Sequence, residues 1–205
     1  MIKNNIRRES YLKFLNTWKN RDLIKVLSGV RRSGKSTLLA MFQQDLKEQG
    51  VQDENIIAIN FEYMEFEELT DYRKLHDYVL SKVDKNKKNY VFLDEIQHVQ
   101  NFEKVVDSLY IRDYIDLYIT GSNAFFLSGE LATLLTGRYI EQHVLPLSFQ
   151  EFKQWHTENN PTIQQLSNRD LYAMYTRSSF PYTLAMTNQQ ETYDYLQAVY
   201  ASVMF

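Results

Sequence analysis

Cysteine is absent from the 205 residues of this sequence. A disulfide framework and a zinc site built from thiolates are therefore excluded, and the absence is typical of a reducing compartment. The chain also lacks an apolar run of the roughly 18 residues that a membrane-spanning helix needs. Its amino-terminal segment, MIKNNIRRESYLKFL, has no continuous apolar stretch like that of a signal peptide. We therefore expect a cytoplasmic protein with no membrane association.

Glycine is scarce as well, with six in the whole chain. Five of the six lie in two windows, residues 29–34 and 121–137, and Gly50 follows a predicted helix. Glycine adopts left-handed backbone conformations at little cost. The two windows are therefore the segments where we expect a tight turn or a close approach of the backbone to a ligand.

What the sequence does contain is an ordinary globular composition with an uneven charge distribution. Apolar residues make up 44% and charged residues 24% of the chain, which excludes a disordered protein. The first 40 residues carry ten Lys or Arg and only two acidic residues, while the net charge of the whole chain is −3. The basic segment favours a polyphosphate or nucleic acid partner, or it is a solvated surface with a local charge bias. The acidic remainder argues against a protein that binds DNA over its whole surface.

Short apolar segments alternate with amphipathic ones along most of the chain. The pattern predicts strands at residues 23–28, 55–61, 90–93, 117–120 and 139–145. It predicts helices at residues 35–48, 69–84, 102–109, 148–156, 168–177 and 188–204. This alternation indicates an α/β fold with a parallel sheet, in which ligands bind at the carboxyl ends of the strands. We expect an α/β core at residues 1–147 and a helical lid at residues 148–205, where Ser148 and Glu151 form a capping box.

The first glycine window carries a phosphate-binding motif. Residues 29–36, GVRRSGKS, match the P-loop pattern G-x-x-x-x-G-K-[ST] between a predicted strand and a predicted helix. The glycines let successive backbone N–H groups turn toward phosphate oxygens, and the helix start adds its positive dipole end. Lys35 supplies a charge for the β- and γ-phosphates, and Ser36 offers a hydroxyl to Mg²⁺. The predicted nucleotide-binding residues are Gly29, Val30, Arg31, Arg32, Ser33, Gly34, Lys35, Ser36 and Thr37.

Two carboxylates follow the buried strand predicted at residues 90–93. Asp94 can hold a water of the Mg²⁺ shell, and Glu95 can accept a proton from, or orient, a water that attacks the γ-phosphate. A Ras-type GTPase has D-x-x-G at this place, whereas residues 94–97 here read DEIQ, and no guanine-binding N-K-x-D motif is present. The sequence therefore predicts Mg²⁺ bound by Ser36 and Asp94, and ATP rather than GTP.

Other polar residues stand at the ends of predicted strands. Ser122 and Asn123 can contact the γ-phosphate or position the attacking water, or they cap the next helix. Arg138 can neutralise charge in the transition state, in its own chain or in a neighbouring subunit, or it is a structural arginine. Asn60 can contact Glu95, or it is a turn residue. His98 is interpreted as a packing or hydrogen-bonding residue, since Mg²⁺ prefers oxygen ligands.

Four segments together resemble the AAA+-like ATPases of bacteria and archaea, in the subgroup whose ATPase domain precedes a further domain of unknown function. They are LIKVLSGVRRSGKSTLL, YVFLDEIQHVQNFEK, YITGSNAFFLSGELATLLTGRY and LPLSFQEF. The resemblance implies five parallel strands in the order 5-1-4-3-2 with a helical lid. It implies Walker A at Lys35 and Ser36, Walker B at Asp94 and Glu95, sensor 1 at Ser122 or Asn123, and an arginine finger at Arg138.

The chain departs from this family in two ways. Relatives usually carry glycines before the apolar-Pro pair that stands here at Phe180 and Pro181, where this chain has Ser178 and Ser179. Relatives also continue for about another domain, so we expect that this chain is truncated before that domain.

These features favour Mg²⁺-dependent binding and hydrolysis of ATP, at a low rate in the isolated chain. The alternative is a nucleotide-gated module that binds protein or nucleic acid with little turnover. A small-molecule kinase is disfavoured because the predicted lid has few arginines and Glu95 is better explained by activation of water. A homo-oligomer is compatible with an arginine finger that acts between subunits.

Overall fold

The computed structural model describes residues 6–122, 135, 137–159, 166–186 and 188–204. These residues form a parallel sheet of five strands. The strands are β1 (Ile24–Ser28), β2 (Ile56–Asn60), β3 (Asn89–Asp94), β4 (Ile115–Thr120) and β5 (Tyr139–His143). Their order across the sheet is β2-β3-β4-β1-β5, with every neighbouring pair parallel. The predicted α/β class, parallel pairing and order 5-1-4-3-2 are therefore confirmed.

Burial follows position in the sheet. Every residue of β1, β3 and β4 is buried, whereas β2 and β5 at the two edges are partly exposed. Strands with both faces covered read as nearly continuous apolar runs. That is why the segment from Tyr90 to Leu93 was recognisable as a strand from its sequence.

Four helices connect and flank the strands: α1 (Glu9–Trp18), α2 (Lys35–Glu48), α3 (Tyr72–Lys82) and α4 (Phe102–Tyr110). Three more follow β5 in the described part of the chain: α5 (Phe149–Asn159), α6 (Asn168–Tyr175) and α7 (Gln189–Met204). The capping box before α5 is present, because Glu151 N donates to Ser148 Oγ at 3.2 Å and Ser148 N donates to Glu151 Oε2 at 2.7 Å. Asp71 caps α3 with its side chain alone, which accepts from Arg73 N and Lys74 N.

The chain falls into two compact units that interleave along the sequence. The sheet unit comprises Glu9–Gly29 and Lys35–His143. The helical unit comprises the described residues of Met1–Arg8, Val30–Gly34 and Val144–Phe205. The middle of the P-loop therefore groups with the carboxy-terminal helices. The boundary at residue 147 and the movement of a lid stay predictions.

Each unit has its own apolar interior. In the sheet unit, Phe42 of α2 packs against Phe92 and Tyr118, whose rings are stacked with centroids 4.8 Å apart. In the helical unit, a smaller cluster includes Ile6, Leu147, Phe152, Trp155 and Leu184. Among the described residues, no helix combines the length and apolar character needed to cross a membrane.

A buried ion pair joins two central strands of the sheet unit. Lys25 Nζ of β1 contacts Asp116 Oδ1 of β4, and both side chains are fully enclosed. Lys25 Nζ also donates to Arg21 O at 2.8 Å, while Tyr118 OH and Asn20 N donate to Asp116 Oδ2 at 2.7 and 2.9 Å. Burial lowers the pKa of Lys25, although Asp116 partly offsets that effect. The network satisfies two charges that would otherwise be costly in an apolar interior.

Candidate functional site

The P-loop connects the carboxyl end of β1 to the start of α2. Its backbone uses the left-handed region at Gly29 (φ 141°), Arg32 (φ 66°) and Gly34 (φ 100°). A Cβ at Gly34 would lie 3.8 Å from Pro181 Cγ, an ordinary contact, so the backbone conformation is what favours glycine there. Ser33 Oγ is buried without a hydrogen-bond partner in the described part of the chain. The loop thus presents a tight turn with a hydroxyl that a ligand oxygen can pair with.

Lys35 opens α2 and its side chain is buried. Its Nζ donates to Gly29 O at 3.2 Å and lies 3.5 Å from Glu95 Oε1. The following residues of the motif, Ser36 and Thr37, are exposed and half-buried in the first turn of α2. The motif lysine is therefore paired with the second carboxylate of the acidic strand end.

Asp94 is the end of β3, and side chains from three other segments converge on it. Thr120 Oγ1 donates to Asp94 Oδ1, Asn60 Nδ2 donates to Oδ2 at 2.9 Å, and the Ser36 hydroxyl is also hydrogen-bonded to the carboxyl. Burial raises the pKa of Asp94, and the hydrogen bonds and Lys35 only partly counter it. A buried carboxylate beside a serine hydroxyl supplies the oxygen donors that Mg²⁺ prefers. The residues present therefore fit this cation.

Glu95 has a backbone that differs from the strand before it. Its φ and ψ are 58° and 49°, a left-handed conformation that is uncommon for glutamate. The turn is held because Glu95 N donates to Thr120 Oγ1 at 3.0 Å, and Gln97 Nε2 donates to Glu95 Oε2 at 2.5 Å. Strained residues of this kind persist where the surroundings over-determine them. The turn carries the carboxylate to Lys35.

Asn60 binds Asp94 rather than Glu95, and its Oδ1 accepts from Glu62 N at 2.8 Å, which agrees with the turn alternative. In the β2–β3 pair, Asn60 lies directly opposite Asp94. Directly paired residues point to the same face of a sheet, whereas Glu95 already belongs to the turn beyond it. A pairing register of this kind cannot be read from one strand alone.

Sequence reasoning also missed Thr120 and Gln97. It considered Ser122 and Asn123 after β4, but the residue that reaches Asp94 and Glu95 is Thr120, the last of the strand. Ser122 is half-buried two residues farther along, and Asn123 lies outside the described residues. Only the pairing register of β3 and β4 could have indicated Thr120. In that register Leu93 lies opposite Ile119, which places Thr120 beside Asp94.

Arg138 lies at the opposite end of the sheet from the P-loop. Ile24 N donates to Arg138 O at 2.8 Å, and Ile24 begins β1 whereas the P-loop follows its end. Five strand residues separate these ends by about 13 Å. The guanidinium pairs with Asp107 and lies 5.9 Å from the Tyr110 ring centroid, both on α4. Arg138 is therefore distant from Lys35 of its own chain.

His98 is exposed in the turn after Glu95, and its backbone N donates to Glu95 O at 3.2 Å. In the part of the chain that the structure describes, no cluster of three His, Asp or Glu side chains could hold a metal ion. The structure therefore gives His98 a place beside the turn rather than in a ligand set.

Comparison with known proteins places these features in a family. A family model described as AAA domain matches residues 21–153. An uncharacterized protein of Haemophilus influenzae is 40% identical over 206 residues, which are 100% of this chain and 50% of that protein. This chain thus spans half the length of that relative.

Two solved structures share the fold. The Walker-type ATPase of Pyrococcus abyssi superposes with a TM-score of 0.59 at 15% identity, over 99% of this chain and 74% of that one. AMPPCP-bound DnaA from Aquifex aeolicus superposes with a TM-score of 0.59 at 14% identity, over 89% of this chain and 61% of that one. At these identities the similarity concerns the fold alone.

Proposed function

This chain belongs to the AAA domain family, and from that premise we propose that it binds ATP with Mg²⁺ and hydrolyses it to ADP and phosphate. Membership of the family and the P-loop ATPase fold support a nucleotide-binding, ATPase-like function in general. The two structural neighbours are, by their descriptions, a Walker-type ATPase and a protein bound to the ATP analogue AMPPCP. ATP hydrolysis, Mg²⁺ dependence and the roles of individual residues are the proposal.

The observation that carries the proposal is the convergence of two motifs that are distant in sequence. Lys35 Nζ lies 3.5 Å from Glu95 Oε1, and the Ser36 hydroxyl is hydrogen-bonded to Asp94. A lysine, a serine hydroxyl and two carboxylates at the carboxyl ends of parallel strands are the groups that phosphoryl transfer to water needs. A structural strand-to-helix turn needs none of them.

Phosphate binding is assigned to the P-loop. Its backbone N–H groups and the amino-terminal end of α2 offer hydrogen bonds and a partial positive charge to phosphate oxygens. Lys35 adds a full charge, and the buried hydroxyl of Ser33 adds a donor. The ion pair between Lys35 and Glu95 must open for Lys35 to reach a phosphate, which at the same time leaves the Glu95 carboxylate free.

Ser36 and Asp94 would hold Mg²⁺. When bound, the cation neutralises phosphate charge that develops during transfer. Thr120 and Asn60 orient the Asp94 carboxylate for this task through their hydrogen bonds. Such supporting residues fix a ligand in one rotamer, so the site is ready before the cation arrives.

The chemical step is assigned to Glu95. A water oxygen attacks the γ-phosphorus, Glu95 accepts a proton of that water, and the bond between the γ-phosphorus and the bridging oxygen breaks, so that ADP leaves. The hydrogen bond from Gln97 holds Oε2 of Glu95, while Oε1 lies 3.5 Å from Lys35 Nζ.

The test separates binding from chemistry with two substitutions. Lys35→Ala is expected to abolish ATP binding, since it removes the cation that faces the phosphates. Glu95→Gln is expected to keep ATP binding and to lower the rate of phosphate release by about 10²- to 10⁴-fold, because an amide cannot accept the proton. ATP affinity is measured by calorimetry and phosphate release by a coupled assay, with the exposed Lys13→Ala and Glu48→Gln as matched controls. Equal ATP affinity in wild type and Lys35→Ala would end the proposal.

A second candidate, a nucleotide-gated binding module with little turnover, is favoured by one observation. The guanidinium of Arg32 in the P-loop lies over the ring of Tyr195 in α7, 5.2 Å from its centroid, and the Tyr195 ring packs against Tyr182 with the two planes tilted by 37°. A nucleotide that attracts Arg32 would therefore disturb helices of the helical unit. Steady-state turnover measured with and without DNA, RNA and protein extract distinguishes the two functions. Stimulated turnover supports the enzyme, and persistent absence of turnover despite tight binding supports the module.

A further inference from the structure

A buried arginine outside the predicted site binds the P-loop backbone. Arg8 is 4% exposed, and every partner named here belongs, like Arg8 itself, to the helical unit. Its Nη1 donates to Ser33 O at 3.2 Å and to Leu145 O at 2.9 Å, and its Nη2 donates to Pro146 O at 3.2 Å. Its Nε and Nη2 donate to the two oxygens of Glu151 at 2.8 and 3.2 Å. One guanidinium thus joins the P-loop to the segment that leads into α5.

Glu151 is a fixed anchor for this guanidinium. It lies in the first turn of α5 and also accepts hydrogen bonds from Ser148 N at 2.7 Å and Ser148 Oγ at 3.0 Å. Burial alone would raise the pKa of Glu151, but Arg8 and Ser148 hold it below its ordinary value. The carboxylate is therefore charged at neutral pH and neutralises Arg8. Because the pair is neutral as a whole, Arg8 adds little long-range attraction for an anion.

Arg8 holds the carbonyl of one peptide group of the P-loop, the one between Ser33 and Gly34. The peptide bond between Ser33 and Gly34 is planar and trans, so the Ser33 carbonyl and the Gly34 N–H point in opposite directions. A carbonyl held by Arg8 therefore turns the Gly34 N–H away from Arg8. Gly34 has a φ of 100° and rotates easily when nothing holds its neighbour, because it has no side chain.

We propose that Arg8 is a positioning residue for nucleotide binding: it holds the Ser33 carbonyl so that the Gly34 N–H is aimed at the bound phosphates. The inference rests on the proposed function and adds a residue that lies outside the P-loop and both carboxylates. A charged donor on the carbonyl also polarises the peptide, which makes its N–H a stronger donor. Glu151 acts through Arg8, by holding it in place.

The test compares Arg8→Gln, Arg8→Lys and the double substitution Arg8→Gln/Glu151→Gln with wild type. Arg7→Gln, at the exposed neighbouring residue, is the matched control. Each variant is measured for Mg²⁺–ATP affinity by calorimetry, for kcat and KM, and for its thermal midpoint. We expect Arg8→Gln to weaken ATP binding about tenfold, which corresponds to about 1.4 kcal/mol, with a higher KM and a nearly unchanged kcat. Arg8→Lys is expected to have an intermediate ATP affinity, because an ammonium keeps the positive charge but lacks the planar set of N–H donors of a guanidinium.

The double substitution separates positioning from stability. Arg8→Gln alone leaves Glu151 charged in a half-buried site and lowers the thermal midpoint. Removal of both charges is expected to restore most of that midpoint but not the ATP affinity, because the Ser33 carbonyl is still without its guanidinium. A merely structural role predicts that affinity and midpoint recover together.

A second measurement follows the peptide directly, without nucleotide. Serine labelled with ¹³C at the carbonyl and glycine labelled with ¹⁵N select the Ser–Gly peptides, which are residues 28–29, 33–34 and 128–129 in this sequence. Ser33→Ala identifies the Gly34 signal. We expect Arg8→Gln, but not Arg7→Gln, to shift the Gly34 amide.

The outcomes are distinct for the two proposals. If wild type fails to bind ATP, the proposed function is wrong. If wild type binds ATP, and the double variant binds it equally well with an unshifted Gly34 amide, the role of Arg8 is wrong while the proposed function stands.

Discussion

The surroundings of Asp94 set both its pKa and its hydrogen bonds. It ends a buried strand, and burial raises its pKa, while hydrogen bonds from Thr120 and Ser36 favour the charged form. A carboxylate that is costly to charge in isolation gains most from a nearby cation. The same feature makes the site sensitive to acid, since protonated Asp94 cannot serve as a metal ligand.

Mg²⁺-dependent ATP affinity should therefore fall as the pH drops through the raised pKa of Asp94. Thr120→Val removes a hydrogen bond to the charged form at almost constant volume, so it should raise that pKa further and move the midpoint of the affinity loss to higher pH. ATP affinity measured with Mg²⁺ in a pH series from neutral into the acid range checks this. Thr70→Val, at a threonine outside the site, is the control. An unmoved midpoint in Thr120→Val would show that Asp94 does not limit binding in acid.

At the scale of elements, the strands and the helix after the P-loop were predictable because their apolar patterns are strong. Helix α2 runs over the predicted residues 35–48, and the observed strands overlap all five predicted segments. Helix α1 was not predicted, although Leu12 and Leu15 have helical spacing and are buried. Tyr11, Phe14, Leu15 and Trp18 stand at i, i+3, i+4 and i+7, so the helical periodicity was present in the sequence and this helix is a missed prediction.

The candidate site was predictable only in part, because a local pattern contains some of its residues but not their contacts with other segments. Local motifs predict Lys35 with Ser36, and Asp94 with Glu95, because the two residues of each pair are adjacent in sequence. The partners of Asp94 and Glu95 depend instead on the register between strands, which no local pattern contains. Arg8 was missed because its importance comes from Ser33 and Glu151, which are distant in sequence.

The ion pair between β1 and β4 leads to a prediction about stability. Lys25→Met leaves the fully buried Asp116 without its partner and should cost about 3–5 kcal/mol of the free energy of unfolding. Lys25→Met/Asp116→Leu removes both charges and should recover most of that loss, since a buried pair replaced by apolar residues of similar size is often nearly neutral. Urea unfolding measures both variants, with the exposed Lys13→Met as control. A double variant less stable than Lys25→Met would show that the pair itself, rather than the uncompensated charge, stabilises the sheet.

At the scale of the whole molecule, Arg138 bears on assembly. It lies at the amino ends of the strands, distant from its own P-loop, and it is about half exposed while it pairs with Asp107. A role in catalysis would therefore require a second copy of the chain, in which this arginine faces the neighbour's γ-phosphate. An arginine supplied by another chain contributes roughly 10³-fold or more to the rate in other nucleotide hydrolases.

If Arg138 acts between subunits, turnover per chain should rise with protein concentration. Mixing inactive Arg138→Ala with inactive Glu95→Gln should restore part of the turnover, because some interfaces then pair an intact arginine with an intact carboxylate. Phosphate release across a wide dilution series, and in mixtures of the two variants, is the measurement. Arg112→Ala, at another arginine of the sheet unit, is the control. Flat turnover per chain and an inactive mixture would assign Arg138 a structural role with Asp107.

The interleaving of the two units has a consequence for how such a protein is inherited. Residues 30–34 lie between β1 and α2 in the sequence but group with helices that begin more than a hundred residues later. Recombination could transmit only the first 147 residues. The recipient would then carry every residue of the phosphate-binding motif. It would lack Glu151, and with it the anchor of Arg8. We therefore expect the segments that encode the sheet and the helices after it to be inherited together, as one continuous coding sequence.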